Sequence, residues 1–454
     1  MPGLFNLLST AARSLDAQTY GLTVTGQNIA NLNTDGYARR SLTLAEVPPK
    51  AGGGVNVLAV RSQRDLFTEG RLQQQLQAEQ RDATLADSLA VVETALGDAG
   101  TSVDGKLSAF FDTFSALSTD PTSSVARDNV LLQANQLTTA FHSMSSSLDA
   151  ASRSADVDLR GAVDQINTLA AHVASLNAAI GKGAGGDSES LKDDLAVSLK
   201  ALAQLATITV MNREDGGADV SIGTGRALVV GANQYTVTAT STGPAGFATI
   251  SAGGYDITSE LTDGRVGGLL QMRDTLVPAY KNQLDQLAFS VAQQVNTLHS
   301  AGYDLTGTTG RNFFAPIASA TGAAEAITVN PTVAGDVRFV AASTTGTAGD
   351  NGTAKAIANL RDAQVAIGGS TTTFAGAWAQ LVYHVGSDSA TAKSNQKTQQ
   401  DIVASLQRLR DSISGVSLDD EAATMLKFQR AYEVNAKYFS SVNATLDVLM
   451  NMLG

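Results

Sequence analysis

The sequence predicts a mainly α fold: a long helical bundle or coiled coil formed by the N- and C-terminal parts of the chain, with a small inserted β subdomain. Three observations lead there. Apolar residues at both ends recur in alternating steps of 4 and 3; the run from Val125 to Ile180 keeps a helical period and contains no proline; and residues 207–264 switch to short β-branched segments punctuated by glycine.

At the N-terminus the stripe is Leu4, Leu8, Ala11, Leu15, Leu22, Ile29 and Leu32, completed by Gln18 and Thr25. This is a coiled-coil seam with polar interruptions. Gly21 and Gly26 weaken the helix by ~1 kcal/mol each relative to alanine. Asn33-Thr34-Asp35-Gly36 is turn chemistry and ends it. At the C-terminus Phe428, Tyr432, Asn435, Phe439, Val442, Leu446, Leu449 and Leu453 repeat the pattern, with Leu418 and Met425 extending it backward. Asp419, Asp420 and Glu421 fall in the first turn, where negative charge complements the helix dipole, and Gly415 precedes as a breaker. A narrow seam cannot bury itself. An antiparallel terminal pair inside one globule and a self-assembly module satisfy it equally, and periodicity leaves both open.

Between the ends, helices are expected at 84–96, at 106–118 before Asp120-Pro121, and along 125–180. Gly181, Gly183, Gly185 and Gly186 end the last of these, and a further helix covers 189–205. Strands follow at 207–212, 218–222, 227–230, 235–239 and 248–251. Helix returns at 267–299; residues 302–351 are irregular; and helices are expected at 353–362, 373–385 and 389–413, the last with Ile402, Leu406, Leu409 and Ile413 on one face.

The chain has 454 residues, long enough for about two to four domains. Charged residues make up 16%, below the usual ~25%. A net charge of −12 gives phosphate no basic face, so nucleic acid is not an expected partner. No apolar run approaches the ~18 residues of a membrane span, and no membrane partner is expected. Cysteine is absent and the N-terminus lacks a signal-peptide pattern, which fits a cytoplasmic protein or one exported by another route.

A search for chemistry finds none. His142, His172, His299 and His384 are scattered and form no metal-ligand pair, so no metal or cofactor is expected. Gly223-Thr224-Gly225 lies between strands and is a hairpin turn rather than a nucleotide loop. Asp304-Leu305-Thr306-Gly307 lacks the alternating acids of a calcium loop. Asp193-Asp194 and Asp419-Asp420-Glu421 sit in first turns, where capping accounts for them. No nucleophile, base and orienter occur together, so no catalytic residue is assigned. A muramidase would need a Glu/Asp pair in a cleft.

Three stretches resemble flagellar axial proteins. Asn28-Ile29-Ala30-Asn31-Leu32-Asn33-Thr34-Asp35-Gly36-Tyr37 is similar to the N-terminal signature shared by rod, hook and junction proteins. Gly267 through Arg273-Asp274, Asn296, His299, Gly302, Asp304 and Phe313-Phe314 resembles the hook-associated protein 1 family, and not hook protein or the second junction protein. Gly415, Leu418 and Phe428-Gln429-Arg430-Ala431-Tyr432 resemble the C-terminal signature of the same family.

The resemblance implies a structural protein, not an enzyme, placed at the hook–filament junction and exported by the flagellar type III apparatus. Residues 1–40 with 416–454 would form the assembly domain, 41–206 with 265–415 a helical rod domain, and 207–264 the inserted β subdomain. Expected partners are further copies of the chain, hook protein, the second hook–filament junction protein, and an export chaperone on the C-terminal helix. The large outer β domain of longer family members, which follows the Phe-Phe segment, would be missing or reduced to a loop. Both ends would order only on assembly, with Gln18, Thr25 and Asn435 setting their register. Other readings are hook protein, the second junction protein, or a secreted coiled-coil adhesin.

Overall fold

The computed structural model describes residues 2–48, 53–97, 102–183, 188–242 and 246–453; the side chains of Leu4 and Leu453, and Gly185 and Gly186, lie outside the described set. Helix α1 (Pro2–Ala30) ends in tight turns, with Thr34 N donating to Asn31 O (3.0 Å) and Tyr37 N to Thr34 O (3.2 Å). Gly36 sits at φ +78°, where a side chain is strained, and a Cβ there would strike Val197. An antiparallel hairpin follows, β1 (Arg40–Glu46) on β2 (Val55–Ser62), bulged between Thr43 and Leu44.

Helix α2 (Leu66–Ala95) begins at Asp65, whose carboxylate accepts from Phe67 N at 3.1 Å. It starts well before the expected Thr84. Residues 66–83 are rich in Gln and Arg and show no clean stripe; they are helical because Leu72 and Leu76 pack on Val403 and Leu406. Serines cap the next two helices, Ser102 for α3 (Val103–Thr119) and Ser123 for α4 (Ser124–Gly181). The 58 residues of α4 span roughly 87 Å and form the spine of the molecule. Helix α5 (Ser188–Leu205) returns along it.

A four-stranded sheet comes next, in the order β3 (Ile208–Asn212), β4 (Ala218–Ile222), β5 (Arg226–Val230) and β6 (Asn233–Gln234). A second sheet holds β7 (Val237–Thr240), β8 (Thr249–Ala252) and β9 (Tyr255–Asp256). The strand expected over 235–239 is split, because Tyr235 N still bonds Leu228 O (2.9 Å) while Val237 already pairs with Ala252. Val220, Ile222, Leu228, Val229 and Ile250 share one core with Leu159, Ile166 and Val173 of α4.

The expected 267–299 helix is interrupted. Helix α6 (Gly264–Gln271) passes through a π-helical turn (Met272–Leu276) into α7 (Val277–Ala301). The turn delivers Arg273 to Asp156 on α4 (2.6 Å), and Pro278 follows in the first turn of α7. Residues 302–351 are mostly irregular, with two short helices, α8 (Ala323–Ala326) and α9 (Pro331–Gly335). Helix α10 (Gly352–Asn359) and the hairpin β10 (Val365–Ile367) with β11 (Ser370–Thr372) follow.

The two helices expected at 373–385 and 389–413 are one, α11 (Phe374–Ser414). Gly386 weakens a helix by only ~1 kcal/mol. The buried face of Trp378, Leu381, Val385, Ser389 and Ala392 runs through it without a break. Helix α12 (Leu418–Leu453) closes the chain and lies along α1. A second core joins Phe110, Phe114 and Phe141 to Leu284, Val291, Phe313, Phe314 and Phe374. The fold is thus mainly helical with an inserted β unit.

Candidate assembly interface

Helices α1 and α12 are antiparallel: the α-carbon of Gly21 lies against the Phe428 ring, and Asn28 reaches Glu421. The residues buried on α1 are Ala11, Ala17, Gly21, Val24, Thr25 and Asn28. The expected seam residues Leu8, Leu15, Leu22, Ile29 and Leu32 are half-buried instead, apart from buried Ala11. The shift has a physical cause. Helix α1 has two neighbours, α12 and the β1–β2 hairpin, and its small residues lie where both can approach closely. On α12, Val442 is buried; Phe428, Phe439, Leu446 and Leu449 are half-buried; Tyr432 and Leu418 are exposed.

Each end therefore covers part of the other within one chain. Gln18, Thr25 and Asn435 make no hydrogen bond across the pair among the described residues; that task falls to Asn28 and Glu421. Leu426, Val434, Tyr438, Val448, Met450 and Met452 of α12 remain exposed, a second apolar surface that α1 does not cover.

The N-terminal signature residues build a polar joint where the pair meets the rod. The Asn28 amide donates to Arg40 O (2.9 Å) and Glu421 Oε2 (3.1 Å), and its oxygen accepts from Arg40 N (2.9 Å) and the Tyr37 hydroxyl (2.7 Å). Arg39 Nε donates to Glu421 Oε1 at 2.7 Å. Arg40 and Arg64 converge on Asp193 at 2.8 and 2.7 Å, and Arg64 also reaches Gly36 O (2.7 Å) and Glu69 (3.2 Å). Burial raises the Tyr37 hydroxyl pKa and holds the Asp193 carboxyl above the usual carboxylate range despite its two guanidinium partners. Asp193 and Glu421 are thus ion-pairing groups rather than the expected caps, and Asp193 lies in the second turn of α5, not the first. Asn31 bonds Gln27 O (2.9 Å) and accepts from Thr34 Oγ1 (3.1 Å), while Asn33 is exposed. At the other edge Gly415 N bonds Asp411 O (2.9 Å) in a close passage.

The central signature lies far from this joint, in the rod. Arg273, 4% exposed, binds Asp156, Ala248 O (3.0 Å) and, bidentately, Asp274 (2.7 and 2.8 Å). It ties α4 to the β unit. The Asn296 side chain pairs with the Phe314 backbone, accepting at 2.8 Å and donating at 3.0 Å, and so holds Phe313-Phe314 against Phe110. His299 Nε2 accepts from Ala341 N (2.8 Å), which leaves Nδ1–H to donate to Arg311 O (2.8 Å). Burial pushes its pKa down to about 4. Gly302 passes so close to Thr353 that a Cβ would lie 2.5 Å from its hydroxyl. Asp304 pairs with Arg311 and accepts from Thr306 N (2.8 Å) and Thr308 N (3.1 Å), a turn without a cation site. Among the described residues no His, Asp and Glu cluster could hold a metal, and no helix is long and apolar enough to cross a membrane.

Comparison with known proteins follows the same lines. Residues 89–314 match the family described as flagellar hook-associated protein FlgK helical domain, and residues 410–452 match the flagellar basal body rod FlgEFG protein C-terminal family. Flagellar hook-associated protein 1 of Escherichia coli (strain K12) is 25% identical over 545 aligned positions, covering 98% of this chain and 100% of the relative. That of Bacillus subtilis (strain 168) is 26% identical over 506 positions, covering 100% of this chain and 99% of the relative. The flagellar hook junction protein FlgK from Burkholderia pseudomallei shares the fold, with a TM-score of 0.67, 16% identity, and coverage of 76% of this chain and 100% of that one. Fold and matches together define a structural protein of the flagellum, not an enzyme. More narrowly, the chain belongs to the flagellar hook-associated protein 1 family.

Proposed function

We propose that this protein forms the junction zone between hook and filament and permits the filament to assemble, with the α1–α12 pair as its self-assembling module. One observation supports this most directly. The pair buries one side of α12 on α1 and leaves Leu426, Val434, Val448 and Met452 exposed on another. Apolar surface of that extent on a projecting helix is stabilised by neighbours that cover it. Further copies of the chain, hook protein and the second junction protein would supply those neighbours, and an export chaperone would cover α12 beforehand. The chain would reach this site through the flagellar type III apparatus, which the absence of cysteine suits.

In this reading residues 1–40 with 416–454 form the assembly domain, 41–206 with 265–415 the rod, and 207–264 the β subdomain. The short passage from Phe314 to Val329, which closes on itself as an isolated bridge, stands where longer relatives carry an outer domain. Deleting the gene in the native bacterium tests the assignment. Hooks without filaments, with flagellin lost to the medium, are expected on electron microscopy and immunoblotting. Normal filaments would refute the junction role.

A further inference from the structure

Among the described residues the terminal pair and the rod share no buried apolar cluster: none of the clusters includes a residue of α1 or α12. Beyond the packing of α1 on the β1–β2 hairpin, what links the pair to the helices of the rod is polar and continuous. Glu421, 1% exposed, holds Asn28 and Arg39; Asn28 grips the Arg40 backbone; the Arg40 side chain reaches Asp193 on α5; and Asp193 reaches Arg64 ahead of α2. Asp193 stands at the centre, one carboxylate between two guanidiniums, with its side chain 10% exposed and theirs 11% each. The Nε of Arg40 and the Nε of Arg64 are both buried without an acceptor. Arg40 has no other carboxylate among the described residues, so nothing stands ready to replace Asp193 there.

We propose that Asp193 is the central bond of an ionic joint that fixes the orientation of the terminal helix pair on the rod, and that removing its charge frees the pair to swing while both bodies stay folded. Removing that charge leaves the buried Arg40 guanidinium without its counter-ion, which is strongly unfavourable, while Arg64 keeps Glu69. The available relief is for the arm at residues 36–40 to move toward water, taking α1 and α12 with it. The backbone bonds Arg39 N to Ser414 O (2.8 Å) and Gln63 N to Arg39 O (2.8 Å) then serve as pivots. Ser62 N stays anchored on Glu189 at 2.9 Å, so the hairpin base remains on the rod. The inference rests on the assembly reading for its biological consequence only; the joint itself rests on the contacts.

The absence of cysteine allows a clean measurement on the full chain. Nitroxide labels at Asn443→Cys on α12 and Ser146→Cys on α4, both exposed positions, report the distance between the bodies by pulsed electron resonance. D193N is expected to broaden the distance distribution at least twofold, while D193E keeps it narrow and circular dichroism of both variants matches the parent. A D193N distribution as narrow as the parent's overturns the proposal, as does a parent distribution already that broad. Should D193N not fold, Arg40→Gln removes the same bond from the arm side and is read identically. A negative result here leaves the deletion phenotype untouched, and normal filaments after deletion would leave the joint untouched.

Discussion

His299 has a pKa that burial pushes down to about 4, from an ordinary value near 6.5. A folded-state value below the unfolded one means that the native protein binds fewer protons. The stability held by the neutral ring is therefore full above pH ~6.5 and is lost as pH falls toward about 4, by roughly 3 kcal/mol at most. Thermal melts between pH 7 and 4.5 should show this loss. His299→Asn, which keeps one donor and one acceptor, should flatten that part of the pH profile; an unchanged slope would remove His299 from the account. Arg273 is the second residue whose removal should be felt. It is the buried counter-ion of Asp156, whose same oxygen also accepts from Ala248 N at 2.7 Å. Arg273→Met is expected to lower stability by ~3–5 kcal/mol in urea unfolding, and Arg273→Lys by less, since it keeps charge without the fork.

At the scale of elements, the α1–α12 pair is set by size as much as by hydrophobicity. Gly21→Ala should raise the intrinsic helix propensity of α1 by ~1 kcal/mol. It nevertheless places a methyl where the Phe428 ring lies. Hydrogen exchange over residues 418–449 is expected to quicken in Gly21→Ala and to recover in the double variant with Phe428→Ala. No change in the single variant would mean that the helices separate without consequence. Sequence periodicity located α4, α5 and both terminal helices, because their stripes follow from local spacing. It could not find the start of α2, where Gln73, Gln74 and Gln75 hide a helix made by tertiary packing. Nor could it join the halves of α11 across Gly386. The polar joint was half legible: Asn28, Gly36 and Tyr37 stood in a signature, whereas Arg64 and Asp193, 129 positions apart in sequence, meet only once the chain between them is folded. An ion pair leaves no periodic trace, so Asp193 looked like an ordinary cap.

For the whole molecule, the separation of cores makes a further prediction. Two apolar clusters built from residues of α2 to α11 hold the rod and its β unit, and α1 and α12 contribute to neither. A chain of residues 39–414 loses the pair but no member of those clusters. Glu421 goes with it, and the Arg39 side chain, already 31% exposed, can turn to water. Arg40 and Arg64 keep Asp193 and are not orphaned. The shortened chain should therefore melt cooperatively within about 3 °C of the full one, a shift corresponding to roughly 2 kcal/mol at ~2.1 cal/mol/K of unfolding entropy per residue. It should also fail to assemble, because the exposed apolar face of α12 is gone. A shortened chain that melts without a cooperative transition would show that the pair is part of the rod's stability. In that case the polar joint would be an internal brace of one folding unit and not a link between two.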